Sequence, residues 1–347
     1  MVLILKRAWL VLALLLAGGC GMNQEKGILM AAGSYGDLAV IYSSPQLEPM
    51  ARKFADEVNQ RMVFVIQEET RFKVDVYPPE KWKLAQGYKN SVFIVDVDDK
   101  GDAVKGVRKV LSDEAWDRLA AGPGGLVQRK DPWSSYQLLI VAAAKDRNSL
   151  GSLLHGNAAR IRTTIETDNR KRILRRNRYD GLATELMNAI WSKYDFYMEI
   201  PADYHLNQQS HDGVKGIELM RTGPSRGITV TWEDMRDPES ALQDREKLLA
   251  MRAAMARVFH HEEIVPDSFT WDEQGLPGTG GVKLTGAWSG SNFAGGGPFW
   301  CYFVAVPQQD RLYCIDILTY APGMDKMVFF RRLEAVASTF TTVRPQP

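Results

Sequence analysis

The sequence predicts an α/β domain over residues 37–195, followed by a sandwich-like α+β domain over residues 196–347. Three observations carry that expectation. Strand and helix signals alternate between Leu38 and about Lys193, as they do where crossover helices join strands. From Phe196 onward, strand signals come in two groups, each closed by an amphipathic helix. A chain of 347 residues also exceeds one ordinary core, so two are expected.

Leu38-Ala39-Val40-Ile41-Tyr42 is a short apolar strand, after which Ser44 and Pro45 supply the cap and first position of a helix. Leu47, Met50, Phe54 and Val58 share one face of that helix. Phe72–Tyr77 alternates with period two and stops at Pro78-Pro79. Ser91–Asp96 and Gln137–Ala144 are near-continuous apolar runs, as in strands covered on both faces. Ser112-Asp113-Glu114 opens a short helix, and helical signals run from Ser149 to about Lys193.

In the second half, Tyr197–Pro201, Val214–Met220 and Ile228–Trp232 are successive strands. Asp237-Pro238-Glu239 caps a helix with Leu242, Leu249, Ala253, Ala256 and Phe259 on one side. Val282–Trp288, Phe299–Val306 and Leu312–Thr319 follow, and a last helix collects Met327, Phe330, Leu333, Val336, Ala337 and Phe340. The order is β-β-β-α-β-β-β-α, with the helices expected to cover one face of the strands.

Residues 1–19 read as a lipoprotein leader. Lys6 and Arg7 precede an apolar run from Ala8 to Gly19, shorter than the ~20 residues of a spanning helix, and small residues lead into Cys20. Cleavage before Cys20 frees a thiol and an amine for acylation. Residues 20–36 are short on large apolar side chains and read as a tether. Loss of Lys6 and Arg7 takes the formal charge from +1 to −1, so charge names no partner and nucleic acid is not expected.

The strand order, with Ile200-Pro201 closing its first member and Ser338-Thr339-Phe340 ending the last helix, resembles the Mog1/PsbP-like fold in architecture. That likeness implies a fold and no chemistry. A second resemblance rests on the lipobox cysteine, Asp131-Pro132-Trp133 with Gln137, Gly296-Gly297-Pro298-Phe299, Tyr320-Ala321-Pro322, Asp325-Lys326 and Leu333-Glu334. This ordered set resembles domain of unknown function 4837, a family of lipoproteins from Bacteroidetes, over nearly the whole chain after Cys20. The resemblance implies a cell-envelope lipoprotein and brings no catalytic residues with it.

Three motifs suggest chemistry and fail on context. Gly223-Pro224-Ser225-Arg226-Gly227 matches G-x-S-x-G, but a nucleophile elbow joins a strand to a helix, whereas this one joins two strands. Asp96–Asp102 begins like a calcium loop, yet Lys100 holds a ligand place and Val107 stands where a bidentate Glu is needed. His260-His261-Glu262-Glu263 lacks the H-E-x-x-H spacing and reads as a helix end in solvent.

Two surfaces and one cysteine pair remain. Arg170–Arg178 carries six cations in nine residues. Arg172, Arg175 and Arg176 are candidate contacts to an anionic envelope lipid or glycan, the alternative being a solvated face offset by Glu166, Asp168 and Asp180. Trp288, Phe293, Phe299 and Trp300 flank a glycine-rich stretch and form a candidate ligand platform, against a plain role in the core. Cys301 and Cys314 are a candidate disulfide, against two small buried hydrophobes. A turn centred on Pro307-Gln308 sets them opposite, and one centred on Gln308-Gln309 sets them diagonally on one face.

The expectation is a non-catalytic binding or assembly protein without metal or cofactor, anchored by Cys20. Gly21 stands where Asp would retain a lipoprotein at the inner membrane, which favours the periplasmic face of the outer membrane. The expected partners are the membrane, an anionic lipid or glycan, and an envelope protein. The alternatives are an enzyme acting on cell-wall glycan or peptide, and a structural subunit of an envelope complex.

Overall fold

A computed structural model describes residues 29–64 and 67–344. The leader, Cys20 and the first part of the tether lie outside the described residues. The rest of the expected tether is bound chain: Met30 and Ala32 bridge to Ser135 and Tyr88, and Asn90 and Asn169 both donate to the Tyr35 carbonyl. Bridging of this kind needs only backbone, so small-residue composition gave no sign of it.

The first half comprises β1 (Asp37–Tyr42), α1 (Glu48–Val58), the hairpin β2 (Arg61–Phe64) and β3 (Gln67–Thr70), β4 (Lys73–Tyr77) and β5 (Asn90–Asp96). Then come α2 (Asp102–Arg108), α3 (Asp113–Ala121), β6 (Gly125–Lys130), β7 (Leu138–Ala144) and α4 (Arg147–Asp180). The main sheet has the order β4-β1-β5-β7-β6, parallel except for β6 at the edge. Alternate residues serve two cores. Leu38, Val40, Val92, Ile94 and Ile140 pack with α1 and α4, while Ala39, Ile41, Phe93, Val95 and Val141 pack with α2 and α3. Burial on both faces is the reason these strands read as unbroken apolar runs. Ser112 caps α3 as expected, its hydroxyl accepting from the Ala115 amide at 3.2 Å.

The second half comprises α5 (Thr184–Tyr194), β8 (His205–His211), β9 (Val214–Arg221), β10 (Ser225–Asp234), α6 (Pro238–Ala241), α7 (Arg245–His260), β11 (Glu262–Ile264) and β12 (Thr270–Asp272). It ends with β13 (Val282–Gly290), β14 (Gly296–Val306), β15 (Arg311–Tyr320) and α8 (Met327–Ala337). Its strands form one curled antiparallel sheet, β11-β13-β14-β15-β10-β9-β8, with β12 also on β13.

Three expectations change here. Tyr197–Pro201 stays outside the sheet, bridging Thr341 and Leu182 instead, and the first strand is β8. Phe196, Met198 and Ile200 are nevertheless buried, so their alternation is real but directed into the helical layer. Helices also cover both faces: α5 and α8 pack on Ile217, Ile228, Tyr302 and Ile315, while α7 packs on Leu284, Phe299 and Phe303. Finally, α5 precedes the composition change at Phe196 yet belongs to this second core.

The halves meet where α4 and α8 cross. Arg331 on α8 grips Glu166 on α4, with Nη2 to Oε1 at 2.9 Å and Nε to Oε2 at 3.0 Å, and donates to the Arg71 carbonyl. Glu69 on β3 reaches the other way. Its carboxylate accepts the Lys326 and Met327 amides at 2.7 and 2.9 Å, at the start of α8.

Candidate functional site

Three cavities straddle this seam. One of about 230 Å³ lies between β3 and the start of α8, and one of about 640 Å³ between α4 and the loop Asp272–Gly280. The third, about 420 Å³, has the most uneven charge. The last turns of α4 bring Arg176, Asn177 and Asp180 to it, and Gly181 ends the helix at φ 112°, a conformation that suits glycine. Tyr204 follows the turn at Pro201, Arg221 and Arg226 bracket the β9–β10 turn, and Arg332 projects from α8.

Four arginines face two aspartates in that lining. Arg176 pairs with Asp180 at 2.8 Å and Arg221 with Asp203 at 2.7 Å. The other two lack such partners. Arg332 is exposed, with no ion pair among the described residues. Arg226 is 2% exposed, its Nε and Nη1 meet no acceptor, and its guanidinium only overlies the Phe329 ring at 5.2 Å. Burial holds that guanidinium below its ordinary value. Burial also pushes the Tyr204 phenol up to about 12, against the pull of Arg226, Arg221 and Arg332. A buried cation without acceptors is costly, so its surroundings favour an anion.

The arginine run does not form the expected patch. Arg172 is buried and fully engaged: Nη1 donates to the Lys89 and Tyr136 carbonyls, Nη2 to Asn90 and Asn169, and Nε pairs with Asp168 at 2.7 Å. Arg175 pairs with Asp131 and lies 3.9 Å over the Tyr136 ring. Successive helical residues turn by about 100°, so neighbours in sequence meet different partners. Only Arg176 reaches the cavity.

The aromatic platform dissolves in the same way. Trp288 and Phe299 are buried beside α7, and Trp300 is buried on the opposite face of the sheet, 4.6 Å from Phe330. Phe293 alone is largely exposed. The β14–β15 turn centres on Gln308-Gln309, since Val306 pairs with Arg311, and the cysteines lie diagonally. They are buried free thiols with Sγ atoms 3.2 Å apart.

His260-His261-Glu262-Glu263 is not a helix end in solvent. The His260 side chain is buried, Nδ1 meeting Glu218 at 3.0 Å and Nε2 meeting the Thr229 hydroxyl at 3.0 Å. Glu262 is buried near Arg252, which pairs with Asp316, and burial pushes the Glu262 carboxyl up to about 7. His261 reverses the chain at φ 54°, and β11 then pairs with β13. A hydroxyl, imidazole and carboxylate in line are the parts of a nucleophilic relay, yet Thr229 is only 1% exposed. Ser225 opens β10 in a strand-to-strand turn, as its context required. Asp96 and Asp99 spend carboxylate oxygens on backbone amides of their own loop.

The residues sequence reasoning missed are Tyr204, Arg226 and Arg332. Arg226 carried one signal, a lone cation leading into the buried run Gly227–Trp232.

No helix of the described residues is long and apolar enough to cross a membrane. No curated protein matches the sequence. Residues 31–178 match the model of a domain of unknown function (DUF8532), and residues 183–339 that of a domain of unknown function (DUF4837). The resemblance expected along nearly the whole chain thus covers its second half, while Asp131-Pro132-Trp133 and Gln137 fall under the other family. Each half of the chain carries a domain matched by a family of unknown function, and the seam between the two holds the arginine-lined cavity.

Proposed function

We propose that this protein is a non-catalytic binding protein of the cell envelope, lipid-anchored through Cys20 at the periplasmic face of the outer membrane, taking an anionic envelope component into its seam. The supporting observation is the 420 Å³ cavity shared by both halves, where Arg226 and Arg332 lack counter-charges. Ligand sites favour such junctions because two surfaces enclose more of the ligand than one. The short apolar leader ending in Gly18-Gly19-Cys20 supports the anchor.

Amide exchange of the detergent-solubilised protein, with and without protein-free envelope extract, tests the reading. Slower exchange is expected at residues 173–181, 201–204 and 221–226. Unchanged exchange along the whole seam refutes it. Cys20→Ala should move the protein from the membrane to the soluble fraction, and an unaltered membrane fraction removes the anchor.

An enzyme acting on cell-wall glycan or peptide is the second reading, favoured by the Thr229–His260–Glu218 relay. Hydrolysis of cell-wall fragments that both Thr229→Val and His260→Ala abolish, in proteins that remain folded, would replace binding with catalysis.

A further inference from the structure

We infer that the seam cavity is a site for a phosphomonoester, held as its dianion by Arg226 and Arg332 beside the hydroxyl of Tyr204; the inference rests on the binding reading above and names the chemistry of its ligand.

Charge gives the first argument. Of the four arginines in the lining, Arg176 and Arg221 have their own aspartates, which leaves two guanidinium groups unanswered. A monocarboxylate would answer one of them, whereas a terminal phosphate carries nearly two negative charges near neutrality.

Donor geometry gives the second. Arg226 lines the cavity with its guanidinium over the Phe329 ring, and two of its nitrogens meet no acceptor. A guanidinium presents its N–H groups as a planar fork that fits two oxygens of one phosphate. Tyr204, Arg221, Arg226 and Arg332 all line this cavity, so these donors share one region. A phenol is protonated near neutrality and burial only pushes this one further up, so its O–H is there to donate. Donors arriving from β10, α8 and the Tyr204 segment suit a tetrahedral group better than a flat carboxylate.

Size gives the third. A volume of about 420 Å³ far exceeds the roughly 30 Å³ of one water, so a bare phosphate would leave most of it empty. Ile173, Pro201 and Val336 line the remainder and offer apolar wall to an ester group. A soluble sugar phosphate and a phosphorylated lipid head both present this terminal dianion.

Calorimetric titration of the detergent-solubilised full-length protein tests the inference. The probes are inorganic phosphate, glucose 1-phosphate and dihexanoyl phosphatidic acid, with dimethyl phosphate and citrate as controls. At least one monoester should bind more tightly than inorganic phosphate, and dimethyl phosphate, with a single charge, at least about tenfold more weakly than that monoester. A preference for glucose 1-phosphate assigns a soluble source, and a preference for the short-chain lipid assigns a head group. Arg226→Lys keeps the charge and loses the fork, with about tenfold weaker binding expected. Arg332→Gln alters an exposed side chain, leaves folding aside, and should weaken binding several-fold while flattening its salt dependence.

The inference is overturned if no monoester binds, if citrate binds as tightly, or if both variants bind like the unmodified protein. Seam protection by envelope extract without any phosphate binding would overturn it and leave the binding reading standing. Failure of both experiments removes both.

Discussion

Replacing Glu166 by Gln should loosen the join between the halves without changing its shape. The carboxylate takes three contacts from Arg331, at 2.9, 3.0 and 3.3 Å, and Arg71 lies 3.5 Å away. An amide has one oxygen to accept with, and its NH₂ group meets the Arg331 donors head on. Arg331, 5% exposed at its side chain, is then left buried without a counter-charge. Breaking a buried pair from one side costs about 3–5 kcal/mol. Glu166 retains 18% side-chain exposure, so water screens part of this, and about 3 kcal/mol is the working figure. At about 2–4 °C per kcal/mol for domains of this size, the midpoint should fall by about 6–12 °C at pH 7.5. The loss should also depend on pH. Burial pushes the Glu166 carboxyl up, but the Arg331 and Arg71 charges outweigh it, and its native value lies below the ordinary 4.5. A depressed native value means that its contribution is whole above 4.5 and vanishes as pH falls through the native value. Calorimetric melts of wild type and variant at pH 7.5 and in acid should therefore converge toward low pH. A midpoint within about 1 °C of wild type at pH 7.5, or a deficit that persists undiminished in acid, refutes the reasoning.

Arg172→Ala should destabilise by about 3–5 kcal/mol in denaturant titrations, because Asp168, Asn90 and two carbonyls lose their donor together, whereas Arg175→Ala should cost under about 1 kcal/mol. Equal effects would return the run to the surface. Glu262 has a raised native value, so its contribution is whole below the ordinary 4.5 and is lost as pH climbs toward about 7. Glu262→Gln should accordingly gain up to about 3 kcal/mol on wild type between pH 5 and pH 8; a difference that stays flat across that range rules out a neutral buried carboxyl.

What the sequence revealed followed from burial. β5 and β7 were legible because both faces are covered, so Val92–Val95 and Leu138–Ala144 are apolar without a gap. β8 was not, since His205-Leu206-Asn207-Gln208-Gln209-Ser210-His211 lies at a sheet edge, where backbone pairing suffices and side chains are free to be polar. The G-x-S-x-G stretch does join two strands, as its context required, and the residue in it that lines the seam cavity is Arg226. Charge density drew the eye to Arg170–Arg178, but helical rotation scattered those side chains among Asp168, Asp131, Asp180 and Glu199. Arg226 stands as a lone cation, and Arg332, which completes the proposed site, lies on another element and far along the chain. His260 looked exposed because nothing in its own helix shows that Glu218 and Thr229 wait on neighbouring strands.

The reach of Glu69 to the start of α8 bears on how the chain is made. α8 has no side-chain cap from Lys326, the residue that begins it, and borrows one from a position 257 residues earlier. Synthesis runs from the N-terminus, so β3 is complete long before the amides it serves exist. Until they arrive, Glu69 has no place to be buried and the first domain carries an unfinished edge. A chain cut short before residue 326 lacks the two amides that this carboxylate accepts, so its β2–β3 hairpin should be cleaved faster in limited proteolysis than in the full protein. Together with the Arg331 grip on Glu166, the carboxylate makes the last helix a part of the first domain's own boundary, although the two lie at opposite ends of the chain.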